Sequence, residues 1–221
     1  MLSSWSFLLG IAGMFFRYSP RMEMLYKAMT YARASNLQGE YLEFGVSRGQ
    51  TFALAYHFAK TKGMRFFAFD SFKGLPDAEE YRLSANLFKK GDYACSADAF
   101  RRYVRSKGVD LRRVSVVEGW FDKTLTSGAK ERLGLRQAAV VMVDCDLYQS
   151  AVSVLDFITD LLVQGSVLMF DDWFLFGADD NHGVHAATVE WLYRNPSITL
   201  VDYHKFGWHG NSFIVRKTDA R

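Results

Sequence analysis

The sequence predicts a doubly wound α/β domain. Short apolar runs alternate with helix-like stretches over five consecutive units. One run, AAVVMVD at 138–144, is apolar almost throughout, as a central parallel strand covered on both faces requires. The composition agrees. The chain has 221 residues, 49% of them apolar, with three prolines. It can bury a sizeable core, and it is not a disordered, collagenous or low-complexity chain.

The elements follow in order. Ser19-Pro20 reads as an N-cap with proline at the first helical position, and Met22, Leu25, Tyr26 and Met29 follow at helical spacing. Gly39 closes that segment. Residues 41–46 form a first strand and 51–60 a helix with Phe52, Ala55 and Ala59 on one face. RFFAFD at 65–70 is a second strand that ends in a carboxylate. Residues 71–95 lack periodicity and contain Gly74, Pro76 and Gly91, so they are expected to form a functional lid. A helix over 96–107 precedes the third strand, VSVVE at 114–118. The fourth strand at 138–144 leads into a helix over 150–163 that Gly165 terminates. SVLMFD at 166–171 is the fifth strand. A helix over 185–194 stops at Asn195-Pro196, and strands over 198–203 and 211–216 are close enough to form an antiparallel hairpin.

Charge and cysteine set limits on partners. Lys and Arg number 27 against 24 Asp and Glu, for a net charge of +3. The basic cluster from Arg101 to Arg113 reads as a solvated face, without the aromatic interleaving of a nucleic-acid reader. Cys95 and Cys145 make neither a disulfide framework nor a zinc site, so a cytoplasmic compartment is the default. Residues 1–16 carry no charged side chain and precede the first basic residue, Arg17. That stretch is too short for a membrane span of about 20 residues and lacks a signal-peptide pattern. An N-terminal helical segment, 1–38, is expected to pack on the main domain, 39–221, or to serve as a lid or a contact in a homo-oligomer, with surface contact with a membrane as the alternative for its apolar stretch.

Chemistry-bearing residues gather at strand ends. Asp70, Glu118, Asp144 and Asp171 all stand at or near C-terminal ends of strands, the edge where open α/β sheets bind ligands. Glu43 to Gly49 reads E-x-G-x-x-x-G and departs from the G-x-G-x-x-G fingerprint that binds pyrophosphate. Gly45 permits a tight turn and Gly49 a close approach to a ligand. A loop of this kind behind an acidic residue suits a ligand with a cationic end and no phosphate, properties that S-adenosylmethionine has. Asp70 is placed to take ribose hydroxyls or, alternatively, to cap the next turn. Asp144, Asp171 and Asp172 lie on strands about 4.8 Å apart and could converge. Three carboxylates cannot all stay ionised there without a cation or bound protons, and hard oxygen donors suit Mg²⁺ or Ca²⁺. Alternatively, one carboxylate caps a helix and another acts as base. His182 and His185 follow in a polar loop and could reach the cleft as acid or base. The serine-hydrolase elbow and the P-loop are both absent.

Five segments together resemble the macrocin O-methyltransferase family: YLEFGVSRG (41–49), FAFDSFKGLP (67–76), VVEGWFDKTL (116–125), VDCDLYQS (143–150) and VLMFDDW (167–173). The resemblance implies a Rossmann-like class I methyltransferase fold, a seven-stranded sheet whose last strand is antiparallel. It implies S-adenosylmethionine as methyl donor, with Glu43, Gly45 and Gly49 around its methionine end. Asp70 would hold the ribose, with Ser71 and Phe72 beside the adenosine and Gly119, Trp120 and Phe121 over the adenine. It implies Mg²⁺ on Asp144, Asp171 and Asp172, and a small-molecule acceptor offering a sugar hydroxyl, as in antibiotic biosynthesis. Asp144 is the first choice as base, with His182 or His185 next. Where a catechol-type methyltransferase has a lysine, this chain has Leu147. The aromatic residues near these segments, Phe44, Phe69, Phe72, Trp120, Phe121, Tyr148, Phe170, Trp173 and Phe174, are expected to line the cleft. A nicotinamide-dependent oxidoreductase and a non-catalytic relative are the competing expectations.

Overall fold

The computed structural model describes residues 19–59, 63–84 and 88–218. The apolar stretch at 5–16 and its expected subunit contact lie outside the described residues. Helix α1 spans Pro20–Ala34, capped by Ser19, whose hydroxyl accepts from the Met22 amide. Strand β1 (Glu40–Phe44) leads to α2 (Gln50–Phe58), and β2 (Phe66–Asp70) to a 3₁₀ turn at Glu79–Ser84 and α3 (Ala97–Ser106). Strand β3 (Val114–Glu118) is followed by the short helices α4 (Phe121–Thr124) and α5 (Ser127–Leu133). Then come β4 (Ala138–Val143), α6 (Tyr148–Ile158), β5 (Leu162–Phe170), α7 (Gly183–Arg194), β6 (Ile198–Asp202) and β7 (Asn211–Lys217).

The seven strands run in the order β3-β2-β1-β4-β5-β7-β6, with β7 antiparallel to both neighbours. The strand order reverses between β1 and β4, which opens a crevice above their C-terminal ends. Alternation along each strand splits the core in two. Tyr41, Phe66, Met142 and Met169 face α1, α2 and α3. Leu42, Phe44, Val141 and Leu168 face α6 and α7. Both faces are covered, so β4 is buried at every position. Helix α1 buries Met24, Leu25, Ala28, Met29 and Ala32 in the first layer, so residues 20–34 share the core of the sheet.

One expectation changes. The helix expected over 150–163 ends at Ile158, and β5 starts at Leu162 and runs through Gly165. Gly165 has φ +91°, and the Ser166 hydroxyl accepts from the Val163 amide and donates to the Ala138 carbonyl. These bonds hold a bulge that lets Leu162 pair with Ala138 before the main ladder starts at Val167. The stretch 119–137 holds the two short helices. Among the described residues no helix is long and apolar enough to cross a membrane.

Candidate active site

A cleft of about 1310 Å³ lies above the C-terminal ends of β1, β4 and β5. The loop after β1 forms one wall. Asp70, at the end of β2, shapes that loop. Its Oδ2 accepts from the amides of Val46 (2.8 Å) and Ser47 (2.9 Å), and its Oδ1 from Phe72 (2.7 Å). A carboxylate offers about four acceptor positions, so one remains for a ribose hydroxyl. The Gly49 amide is bonded to the Val46 carbonyl at 2.7 Å. Amides 46, 47 and 49 are therefore occupied and form no phosphate cradle.

Glycine positions 45 and 49 differ in purpose. Gly45 lines the cleft at φ +89°. Gly49 has φ +86° and does not line it; a Cβ there would meet Phe100 and Val104 at 2.7 Å. The need for glycine at 49 comes from core packing, not from ligand approach. Glu43 is 2% exposed at the cleft floor and accepts a 2.6 Å hydrogen bond from the Tyr41 hydroxyl. Burial pushes its carboxyl up to about 8, against the opposing effect of Tyr41.

The strand-end carboxylates converge, with one exception. Asp70, Asp144 and Asp171 line the cleft, whereas Glu118 is exposed on the edge strand β3 and does not. Ligand atoms of Asp144, Asp146 and Asp172 lie within 4.8 Å of one another, as do those of Asp171, Asp172 and His209. The expected trio is thus divided between two groups that share Asp172. The guanidinium of Arg21 joins them, donating to Asp144 Oδ2 (2.8 Å) and to Asp171 Oδ2. Asp172 is 5% exposed, and its Oδ2 is buried without a partner. Burial and the neighbouring carboxylates push Asp144, Asp171 and Asp172 upward, Arg21 and burial opposing each other at the first two. The all-carboxylate group of Asp144, Asp146 and Asp172, with its buried, unpaired oxygen, fits a hard divalent cation.

Three residues of this centre escape sequence reasoning. Asp146 sits at φ +48°, two residues beyond Asp144, and accepts a 3.2 Å bond from the Tyr81 hydroxyl. The D-x-D spacing is the one signal that could have marked it. Arg21 is 123 residues from Asp144. His209 arrives on the β6–β7 turn; its Nδ1 donates to the Asp171 carbonyl and lies 3.7 Å from Asp172 Oδ1.

The expected histidines do not reach the cleft. His182 sits at the N-cap of α7 near Asp179, at 3.4 Å. His185 packs edge-on against Trp173, centroids 4.9 Å apart. Of the residues expected beside the adenosine, Ser71, Gly119, Trp120 and Phe121 line the cleft. Phe72 turns its ring into the core against Phe100. The aromatic set is corrected likewise. Phe44, Phe69 and Phe170 are fully buried, and Phe44 stacks on Phe69 at 4.6 Å. Trp173 packs on Phe170 and Phe213. Tyr148 borders a separate shallow groove, and Phe174 is not part of the cleft wall. The rings that line the cleft beside Trp120 and Phe121 are Tyr81, Phe88, Tyr93 and Trp208.

The described residues of segment 71–95 line the cleft beside the carboxylates and are fastened at several points. The Ser47 hydroxyl donates to the Tyr93 carbonyl, the Leu75 amide to the Asp92 carbonyl, and the Gly91 amide to the Leu75 carbonyl. Helices α6 and α7 both lack a local side-chain cap. Glu80 serves both, accepting from Tyr148 N (3.1 Å) and Gly183 N (2.5 Å). An anionic cap of this kind contributes about 0.5–2 kcal/mol. Glu80→Ala is expected to speed amide exchange at Tyr148 and Gly183 and to raise proteolysis of segment 71–95. Unchanged exchange at both amides would remove the shared-cap role.

The sequence matches the Macrocin-O-methyltransferase (TylF) family over residues 13–188. Curated relatives include the demethyldecarbamoylnovobiocin O-methyltransferase of Streptomyces niveus, 26% identical over 163 residues. That alignment covers 70% of this chain and 60% of the relative. The 8-demethyl-8-(2,3-dimethoxy-alpha-L-rhamnosyl)-tetracenomycin-C 4'-O-methyltransferase of Streptomyces olivaceus is 26% identical over 164 residues, covering 69% and 60%. The chain thus spans 60% of the length of the curated relatives it matches. The solved O-methyltransferase NovP superposes with a TM-score of 0.74 at 21% identity, covering 90% of this chain and 80% of that one. Its likeness supports the class I methyltransferase fold. The match over residues 13–188 agrees with the five segments that carried the resemblance: this chain belongs to the macrocin O-methyltransferase family.

Proposed function

We propose that the protein is an S-adenosylmethionine-dependent O-methyltransferase that methylates a hydroxyl of a sugar or glycosylated small molecule, with a divalent cation, Mg²⁺ by preference, at the carboxylate centre. One observation carries the reading. The glycine loop and a buried carboxylate centre with an unpaired oxygen open into the same cleft. Family membership and the rhamnosyl group in the name of one relative support the acceptor class. The occupied amides of the loop argue against a dinucleotide and hence against a nicotinamide oxidoreductase.

When bound, S-adenosylmethionine supplies an electrophilic methyl group on a sulfonium; the S–CH₃ bond breaks as the O–CH₃ bond forms, and sulfur keeps the electron pair. A divalent cation held by Asp144, Asp171 and Asp172 would lower the pKa of an acceptor hydroxyl. The chain's own residues do the rest. Glu43 receives the ammonium end of the donor. Asp70 holds the loop and takes one ribose hydroxyl, with Ser71 beside it, while Trp120 and Phe121 flank the adenine. With His182 and His185 off the cleft, the acceptor proton passes to a carboxylate of the centre, Asp144 or its neighbour Asp146. Segment 71–95 excludes water and holds the acceptor in line.

The test is calorimetric binding of S-adenosylhomocysteine, with a pH dependence that Glu43 dictates. The folded carboxyl titrates near 8, so at pH 6 it is mostly protonated and must lose its proton to pair with an ammonium. Affinity is expected to rise between pH 6 and 8, by at most about tenfold per pH unit. Glu43→Gln should flatten that rise. Absence of binding heat at every pH would remove the reading, and an unchanged slope in the variant would remove the role of Glu43.

A further inference from the structure

The carboxylate centre already holds one cation of its own. Arg21 lies in the first turn of α1, and its guanidinium spans Asp144 Oδ2 and Asp171 Oδ2, one from each of the two groups of donors. It does not reach Asp172 Oδ2, which stays unpaired. We propose that Arg21 is a resident counter-cation that competes with a divalent ion for the carboxylates of Asp144 and Asp171, and so sets the metal affinity of the site. The inference rests on the divalent-cation reading of this centre.

The physical case is charge and place. Asp144, Asp146, Asp171 and Asp172 crowd together, three of them inside the protein, and cannot remain ionised without compensation. One guanidinium neutralises only part of that charge, whereas a divalent ion neutralises more and could also use Asp172 Oδ2. A divalent ion bound to carboxylate oxygens at about 2.0–2.6 Å would stand close to a guanidinium held by the same two side chains. Two neighbouring cations repel strongly in a partly buried site, so one must leave. Arg21 can leave: its side chain is 35% exposed and sits on a long, flexible stem beside open cleft. A monovalent ion brings no more charge than Arg21 itself, so the arrangement also favours divalent over monovalent cations.

The test uses the full chain, stripped of metal, with Mn²⁺ alone as titrant in calorimetry. Arg21→Met removes the charge and keeps the length of the stem; it is expected to bind Mn²⁺ at least tenfold more tightly than the wild type. Arg21→Lys keeps the charge but cannot span both carboxylates. It is expected to fall between the two, and it serves alone if the Met variant does not fold. Equal or weaker Mn²⁺ binding by the variants overturns the proposal, because Arg21 would then support the metal or ignore it. Failure of every protein to bind Mn²⁺ overturns it as well. S-adenosylhomocysteine binding, measured in parallel on the wild type, reports separately on the methyltransferase reading.

Discussion

Replacing Asp172 with Asn is expected to lower methyl transfer about 10²–10³-fold while raising thermal stability. Asp172 is shared by both groups of potential ligands, so its loss damages the centre whichever group holds the cation. The stability gain follows from the same burial. Its carboxyl is pushed well above 3.8 by burial first, then by Asp146, Asp144 and Asp171. The folded state therefore holds a proton that the unfolded chain releases above its own lower pKa. Stability from that proton is present at acid pH and is lost as pH rises toward the folded value. Asparagine retains an N–H donor for Asp146 and never ionises. The melting-temperature difference between variant and wild type should grow from pH 5 to pH 8, at about 2–4 °C per kcal/mol for a chain of this size. Methyl transfer within a few-fold of wild type would show that Asp172 is not part of the chemistry. A lower melting temperature at pH 8 would refute the burial argument.

Gly45→Ala should be the most damaging single-methyl change in the cleft. An alanine Cβ at 45 would stand 1.9 Å from the Asp144 carbonyl oxygen, and the residue sits at φ +89°. The obstacle is backbone, so no rotamer relieves it. Gly45 N is bonded to the Phe69 carbonyl and Asp144 N to the Phe44 carbonyl, which ties the loop to β2 and β4 to β1. Backbone strain of this kind costs about 1–3 kcal/mol, and the clash adds to it. A total of roughly 3–5 kcal/mol would lower the melting temperature by about 6–20 °C. Cofactor binding should fail with it, because the loop and Asp144 move together. A circular-dichroism melt within 2 °C of the wild type would sink this account.

Local pattern accounts for most of the fold. Short apolar strands between helices, and a continuous run at 138–144 covered on both sides, specify a parallel sheet and place Asp70, Asp144 and Asp171 at one edge. That follows from chain geometry, because a strand delivers its last residue to the edge whatever packs beside it. The errors have equally local causes. The apolar residues Leu161 to Val163 are compatible with helix or strand, and the Ser166 bulge favours strand from Leu162 onward. Gly49 looks like a ligand-facing glycine until Phe100 and Val104, fifty residues on, fill the space beside it.

By itself, the sequence determined the α/β class, the methyltransferase family, the glycine loop and the carboxylates that end β4 and β5. The tertiary structure decided what surrounds them. It brings Arg21 between Asp144 and Asp171, places His209 of the last hairpin against Asp171 and Asp172, and turns His182 and His185 away. It also gives Glu80 two helix N-termini that have no cap of their own. Pattern and spacing report which face a residue takes within its own element. Charge pairing and packing across some 120 residues of intervening chain depend on where the elements meet, and only the folded sheet establishes that.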